Sequence, residues 1–181
     1  MTRLVLAALV LLTTVPAAAQ VAADSSSADA GWLAAANAAR TFGAGPDGAL
    51  DRTVPTLHEF ADLACPSCRY AFETRMDSVK SRLVATGRAN LIVHAFPIPR
   101  LMRGPHAAEA VLCAGAIGGR EGFASLQRHL YATQPDWRFL RDIGPFVRRA
   151  AAEAGLDPVD FDECISRDAM APLIASDLRL G

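Results

Sequence analysis

The sequence predicts an α/β fold in which a strand-helix-strand unit is followed by a run of helices. Three observations carry that reading. A short apolar run from Val54 to Phe60 is bounded by Pro55 and by Ala61-Asp62, which fits a strand. Phe72, Met76, Val79 and Leu83 then recur at helical spacing, with Arg69, Glu73, Arg75, Lys80 and Arg82 on the other face. Asn90 to Phe96 is apolar on both faces except at His94, as expected of a parallel strand covered by helices on each side. Together they make a βαβ unit.

The elements follow in chain order. Arg3 precedes an apolar stretch, Leu4 to Val15, too short to span a bilayer comfortably, and Ala17-Ala18-Ala19 supplies a small-residue cleavage pattern. Residues 1–19 therefore read as a signal peptide, which implies export and a periplasmic or secreted location. Residues 20–52 are mostly Ala, Ser, Asp and Gly and read as a flexible tether, with one weak helical stretch around Gly31 to Arg40. Gly43, Gly45 and Gly48 have the glycine spacing of a dinucleotide loop. No strand is predicted before them and no helix after, and Pro46-Asp47 marks a turn, so that motif is rejected.

Beyond the βαβ unit the pattern is helical to the end. His106 to Ile117 is rich in Ala, Val and Leu; Phe123, Leu126, Leu130 and Tyr131 form the next stripe. Phe146, Val147, Ala150, Ala151 and Ala154 form another, entered through Asp142 and stopped by Gly155. Asp157-Pro158 opens a short helix carrying Phe161, Cys164 and Ile165, and a last helix runs from about Pro172 to Leu180.

Composition bounds the function. With 181 residues and 51% hydrophobic content, one globular domain is expected. Lys and Arg number 18 against 19 Asp and Glu, for a net charge of -1 without like-charge runs, which excludes nucleic acid as a partner. All four cysteines lie past the expected cleavage site, and an even number in an exported chain is expected to pair.

Chemistry concentrates at Cys65-Pro66-Ser67-Cys68, between the first strand and its helix. A C-x-x-C there reads as a redox dithiol, with Pro66 at the helix position that tolerates proline best. Cys65, at the helix N-terminus, has its thiolate stabilised by the helix dipole and unpaired N–H groups, which makes it the candidate nucleophile. Cys68, one turn inside, is placed to resolve a mixed disulfide at Cys65. The competing readings are a structural disulfide, which would constrain the chain little over two residues, and zinc, for which no second C-x-x-C or spaced histidine pair follows. His58, His94, His106 and His129 are scattered and read as packing or surface residues. No cofactor or metal is expected.

Glu59 to Cys68 resembles the active-site strand and loop of the DsbA-like thiol:disulfide oxidoreductases. Phe96-Pro97, the helix through Cys113-Ala114, Gly122-Phe123 and the Gly155-Leu156-Asp157 turn before Phe161 and Cys164 are similar to that family's helical insertion. The resemblance implies a thioredoxin-like βαβ half at 53–98, carrying the C-x-x-C, and a helical insertion domain at 99–181. It implies an enzyme that exchanges disulfides with cysteine-containing exported proteins and is reset by a membrane or soluble redox partner. It also places a buried acid near the resolving sulfur, a position filled by Glu59, as a candidate proton relay; the plainer alternative is a strand residue at a polar rim.

Cys113 and Cys164 each fall on an apolar helix face, where a structural role is expected. A disulfide between them would close a loop of about fifty residues and stabilise the insertion by on the order of 4 kcal/mol; two buried free thiols are the alternative. The resemblance further implies a cis-proline loop, two more strands and a helix after the last predicted helix. The chain ends at Leu180-Gly181, so the C-terminal strands of the fold read as missing and the sequence reads as a fragment. Oxidation of protein thiols is the preferred direction. A reductase or isomerase of the same fold, or a redox-inactive thioredoxin-like binding module, is the alternative.

Overall fold

The structure, a computed structural model, describes residues 29–181. The expected signal peptide at 1–19, and residues 20–28 of the expected tether, lie outside the described residues. The sheet has three strands in the order β1-β3-β2: β1 (Thr41–Phe42), β2 (Thr56–Ala61) and β3 (Asn90–Ala95). β2 and β3 are parallel, in register from Thr56 opposite Asn90 to Ala61 opposite Ala95. β1 runs antiparallel to β3, with Thr41 opposite Ile92. Among the described residues, the other edge of β2 has no strand partner.

Residues 29–52 correct the expectation of a flexible tether. They form a helix, α1 (29–39), then β1 and a 3-10 turn at Pro46–Gly48. The weak helical stretch expected around Gly31 to Arg40 is α1, and its small side chains allow a close approach. Ala36 and Ala39 are buried, and a Cβ at Gly115 would meet the Ala39 methyl at 3.0 Å. The glycines of the rejected dinucleotide motif serve the turn: a Cβ on Gly43 would lie 1.8 Å from the Ala49 carbonyl oxygen, and Gly48 has a φ of +74°. Asn90, at the start of β3, ties this loop down. Its Oδ1 accepts from the Ala44 and Asp51 N–H groups, and its Nδ2 donates to the Asp51 carbonyl.

One continuous helix, α2 (66–84), joins β2 to β3. It begins as an α-helix at Pro66–Ala71 and includes two π-helical segments, Phe72–Met76 and Lys80–Val84. The wider turns change which side chains face inward. Phe72, Met76 and Val79 pack on the core as the spacing predicts, but the next core contact is Val84 rather than Leu83. An i to i+5 turn advances the apolar face by one residue relative to an α-helix.

The remaining helices pack around α3 (Gly104–Ala132), which unites the two predicted stripes and breaks locally at Gly119 (φ 60°, ψ -152°). They are α4 (Gln134–Trp137), α5 (Gly144–Glu153), α6 (Pro158–Ser166) and α7 (Ala171–Leu180). Leu112, Leu126, Leu130, Tyr131, Trp137, Ile143, Phe161 and Met170 are fully or almost fully buried among them. Asp157 caps α6, its carboxylate accepting from the Val159 and Asp160 N–H groups. Cys113 of α3 and Cys164 of α6 are joined in a disulfide.

A buried polar chain docks α7 on the sheet. The Asp177 carboxylate is fully buried and pairs with Arg40 at the end of α1. It also accepts from the Ala95 N–H (2.8 Å) and lies 2.8 Å from His94 Nδ1. His94 Nε2 is 2.9 Å from His58 Nδ1. His94 is thus the satisfied packing residue that the sequence suggests. No helix among the described residues is long and apolar enough to cross a membrane.

Candidate active site

β2 ends at Ala61, and the chain turns through Asp62, Leu63 and Ala64 into α2. The turn is held by a buried carboxylate: Asp62 Oδ1 accepts from the Ala64 N–H and Oδ2 from the Ile98 N–H, each at 2.7 Å. A Cβ at residue 104 would sit 2.7 Å from Asp62 Oδ1, so glycine there is what lets the start of α3 pass so closely. From the other side Gln134, on α4, donates to the carbonyls of Leu63 (2.6 Å) and Cys65 (3.0 Å). Both the sheet and the helical layer therefore fix the loop that presents the cysteines.

Cys65 stands at the N-cap of α2 with extended backbone angles (φ -84°, ψ 121°), and Pro66 takes the first helical position. No side chain caps this end, so the N–H groups of the first turn have no side-chain acceptor, and the positive end of the helix lies at Cys65. Cys68 lies one turn inside. Both are free thiols here, half-buried, and they are hydrogen-bonded to each other. Burial pushes the Cys68 thiol up to about 11, helped by the bond to Cys65 and the nearby charges of Cys65 and Asp62, against the backbone N–H of Asp62. The two thiols differ by position: one at a helix terminus, one held protonated within the turn.

Glu59 lies on the same strand and is pushed above the usual carboxylate range by burial, partly offset by the positive charge of Lys80. Lys80 in turn is lowered by burial and held up chiefly by Glu59, and its ammonium sits 4.5 Å from the centre of the Phe42 ring. Asp62, also raised by burial, is the carboxylate whose charge bears on Cys68. The hydroxyl of Tyr131, on α3, is buried without a hydrogen-bond partner among the described residues. The ring packs against Phe72 (ring centroids 4.7 Å), and burial, followed by the charges of Cys68, Glu59, Asp62 and Cys65, raises the hydroxyl.

The structure places Cys65 and Cys68 at the start of α2 and Glu59 within β2 opposite Val93, and leaves Cys113 and Cys164 in the helical layer. Asp62, Lys80, Gln134 and Tyr131 were not singled out from sequence. An aspartate two residues before Ala64 at a strand end is a legible turn signal. Gln134 and Tyr131 carry no local signal, because only the packing of α3 and α4 brings them to the loop. Among the described residues no cluster of three or more His, Cys, Asp or Glu side chains is arranged to hold a metal.

A parallel β2-β3 pair, its crossover helix started by a C-x-x-C and a helical layer over it define a thioredoxin-fold dithiol protein. The chain belongs to the thioredoxin family, whose model matches residues 51–179. Among solved structures it is similar to alpha-DsbA1 of Wolbachia pipientis, with a TM-score of 0.62 and 23% identity over 78% of this chain and 66% of that one. It is also similar to DsbA of Chlamydia trachomatis (TM-score 0.57, 18% identity, 76% of this chain and 69% of that one). A protein-disulfide isomerase of Novosphingobium aromaticivorans aligns at a TM-score of 0.53 and 18% identity over 77% of each chain. These likenesses establish the DsbA-like fold with its helical insertion. The chain spans 66% of the length of the Wolbachia protein. No curated protein matches the sequence.

Proposed function

We propose that this chain is a protein thiol:disulfide oxidoreductase, exported from the cytoplasm, that oxidises the thiols of cysteine-containing proteins through a mixed disulfide at Cys65. The observation that carries this reading is the asymmetry of the pair: Cys65 at an uncapped helix terminus, Cys68 one turn inside with its thiol pushed up to about 11. In the oxidised form a substrate thiolate attacks Cys65 Sγ; the substrate-Cys65 bond forms, the Cys65–Cys68 bond breaks, and the electron pair leaves on Cys68, which takes up a proton. A second substrate thiolate then attacks the substrate sulfur, and Cys65 departs as a thiolate at the positive end of α2. Reoxidation requires a redox partner. Glu59, its carboxyl raised by burial and partly offset by Lys80, is the candidate proton store for Cys68.

Export is supported by the n-region, apolar stretch and alanine cleavage pattern at 1–19. The disulfide between Cys113 and Cys164 agrees with an oxidising compartment. The test is trapping. A Cys68→Ser variant should accumulate a mixed disulfide at Cys65 with a reduced-and-reoxidising model protein, located by mass spectrometry. A Cys65→Ser variant should trap nothing, and equal trapping by the two variants would overturn the assignment of nucleophile.

A further inference from the structure

Two hollows flank the dithiol and share a rim. One, of about 420 Å³, is lined by Pro66, Arg69, Tyr70, Glu73, Gln134 and Phe139, among others. The second, of about 220 Å³, runs from Ala64 past Arg100, Met102 and Arg103 to Leu140. Arg138 and Phe139 line both. Ala64, in one hollow, and Pro66, in the other, are the chain neighbours of Cys65, so the candidate nucleophile lies beside both.

The lining is apolar and basic. Phe139 is 80% exposed, Met102 74% and Tyr70 62%, which is unusual for large apolar side chains and marks a contact surface when they cluster. Four arginines stand among them. Arg69 is paired with Glu73, but among the described residues Arg100, Arg103 and Arg138 make no ion pair. Arg138 lies over the Phe139 ring at 4.4 Å, and Arg103 Nε donates to the Leu140 carbonyl. Those contacts hold two guanidinium groups in place on the surface without neutralising them. The surface thus carries about three uncompensated positive charges on a chain whose net charge is -1, so the basicity is local and not a property of the whole molecule.

We propose that this surface docks an extended segment of a partner polypeptide in which acidic residues and one large apolar side chain flank the reacting cysteine. The apolar side chain packs on Phe139 and Met102, and the acidic side chains meet Arg100, Arg103 and Arg138. This rests on the reading of Cys65 as the nucleophile, since it names the substrate class for that site. Exposed pairs are individually weak, and three acting together give a preference on the order of tenfold over a neutral segment, lost at high salt.

Two readouts separate the proposal from the function on which it rests. Three fluorescent peptides of equal length, each with one phenylalanine and with Glu, Gln or Lys around the central position, are used with Ser in place of Cys for binding to the mature chain. The same peptides with Cys are used for the rate of mixed-disulfide formation with the oxidised dithiol. The expected result is tightest binding and fastest reaction for the Glu peptide, on the order of tenfold over Gln and more over Lys at low salt, collapsing at about 0.5 M salt. Arg100→Glu combined with Arg138→Glu should invert the order. Equal binding of the three Ser peptides, or an order that survives charge reversal, overturns the docking proposal. A charge-ordered binding with no reaction of any Cys peptide supports the docking surface and overturns the oxidoreductase reading instead.

Discussion

Replacing Glu109 by glutamine should stabilise the protein at alkaline pH and leave it unchanged at acid pH. Glu109 lies on α3 with 7% of its surface exposed, at the wall of a cavity of about 590 Å³ lined by α3, α5 and α7 and by the end of α6. Its Oε1 accepts from the Met170 N–H at 2.7 Å, a bond that a glutamine oxygen can keep. Burial pushes its carboxyl up to about 7 from 4.5, reinforced by the charge of Asp168 and opposed by the Met170 N–H. The folded protein therefore holds this proton in a range where the unfolded chain has released it. Since the folded state binds more protons, stability falls as pH rises from about 4.5 to about 7, and stays lower above that. At about 1.4 kcal/mol per pH unit the ceiling is roughly 3 kcal/mol, and the half-open cavity reduces it. Urea unfolding of Glu109→Gln and the parent from pH 4 to pH 8.5 reads the difference directly. The curves should coincide near pH 4.5 and separate by about 1–3 kcal/mol at pH 8 in favour of the variant. Parallel curves at all pH values would refute the claim that the carboxyl is charged at a cost.

Asp177→Ala removes the acceptor shared by Arg40, His94 and the Ala95 N–H; leaving a buried guanidinium unpaired should cost about 3–5 kcal/mol in urea unfolding. Reducing the Cys113–Cys164 bond, or replacing both residues with alanine, should cost about 4 kcal/mol for a sequence separation of 51, measured as a lowered melting temperature in a background where Cys65 and Cys68 are both serine. Glu59→Gln should flatten the pH dependence of Cys68 attack on a Cys65 mixed disulfide above pH 4.5, the range into which burial moves the Glu59 carboxyl; a profile identical to the parent's in stopped-flow exchange would remove Glu59 from the proton path. Val84→Ala should destabilise by more than Leu83→Ala, because the π-helical turn puts Val84 against the core.

The βαβ unit, the position of the dithiol and the helical run were legible because each rests on local patterns: alternation, 3.6-residue spacing, and a proline at a helix start. What escaped was set by tertiary packing. The turn of α2 past Lys80 shifts the core contact to Val84, which periodicity at 3.6 cannot show. The helical stretch of α1 was legible, but that its alanines close on Gly115 was not. Asp177 carries no local signal on the last helix, and its partners Arg40 and His94 are 137 and 83 residues away in sequence. In the candidate site, the two cysteines were singled out by their spacing, and Glu59 by the resemblance to the DsbA-like family. Asp62, whose charge bears on Cys68, is legible only as a turn residue, and Tyr131 reaches the site only through the packing of α3.

The most direct test of the central claim is a glutathione redox titration of the mature chain, with trapped thiols located by mass spectrometry. The account predicts that Cys65 and Cys68 interconvert between dithiol and disulfide while Cys113 and Cys164 stay paired, with a potential above about -200 mV. A potential near about -270 mV would contradict the oxidising direction, and a Cys65–Cys68 pair that never equilibrates with glutathione would contradict the assignment of thiol exchange to this chain.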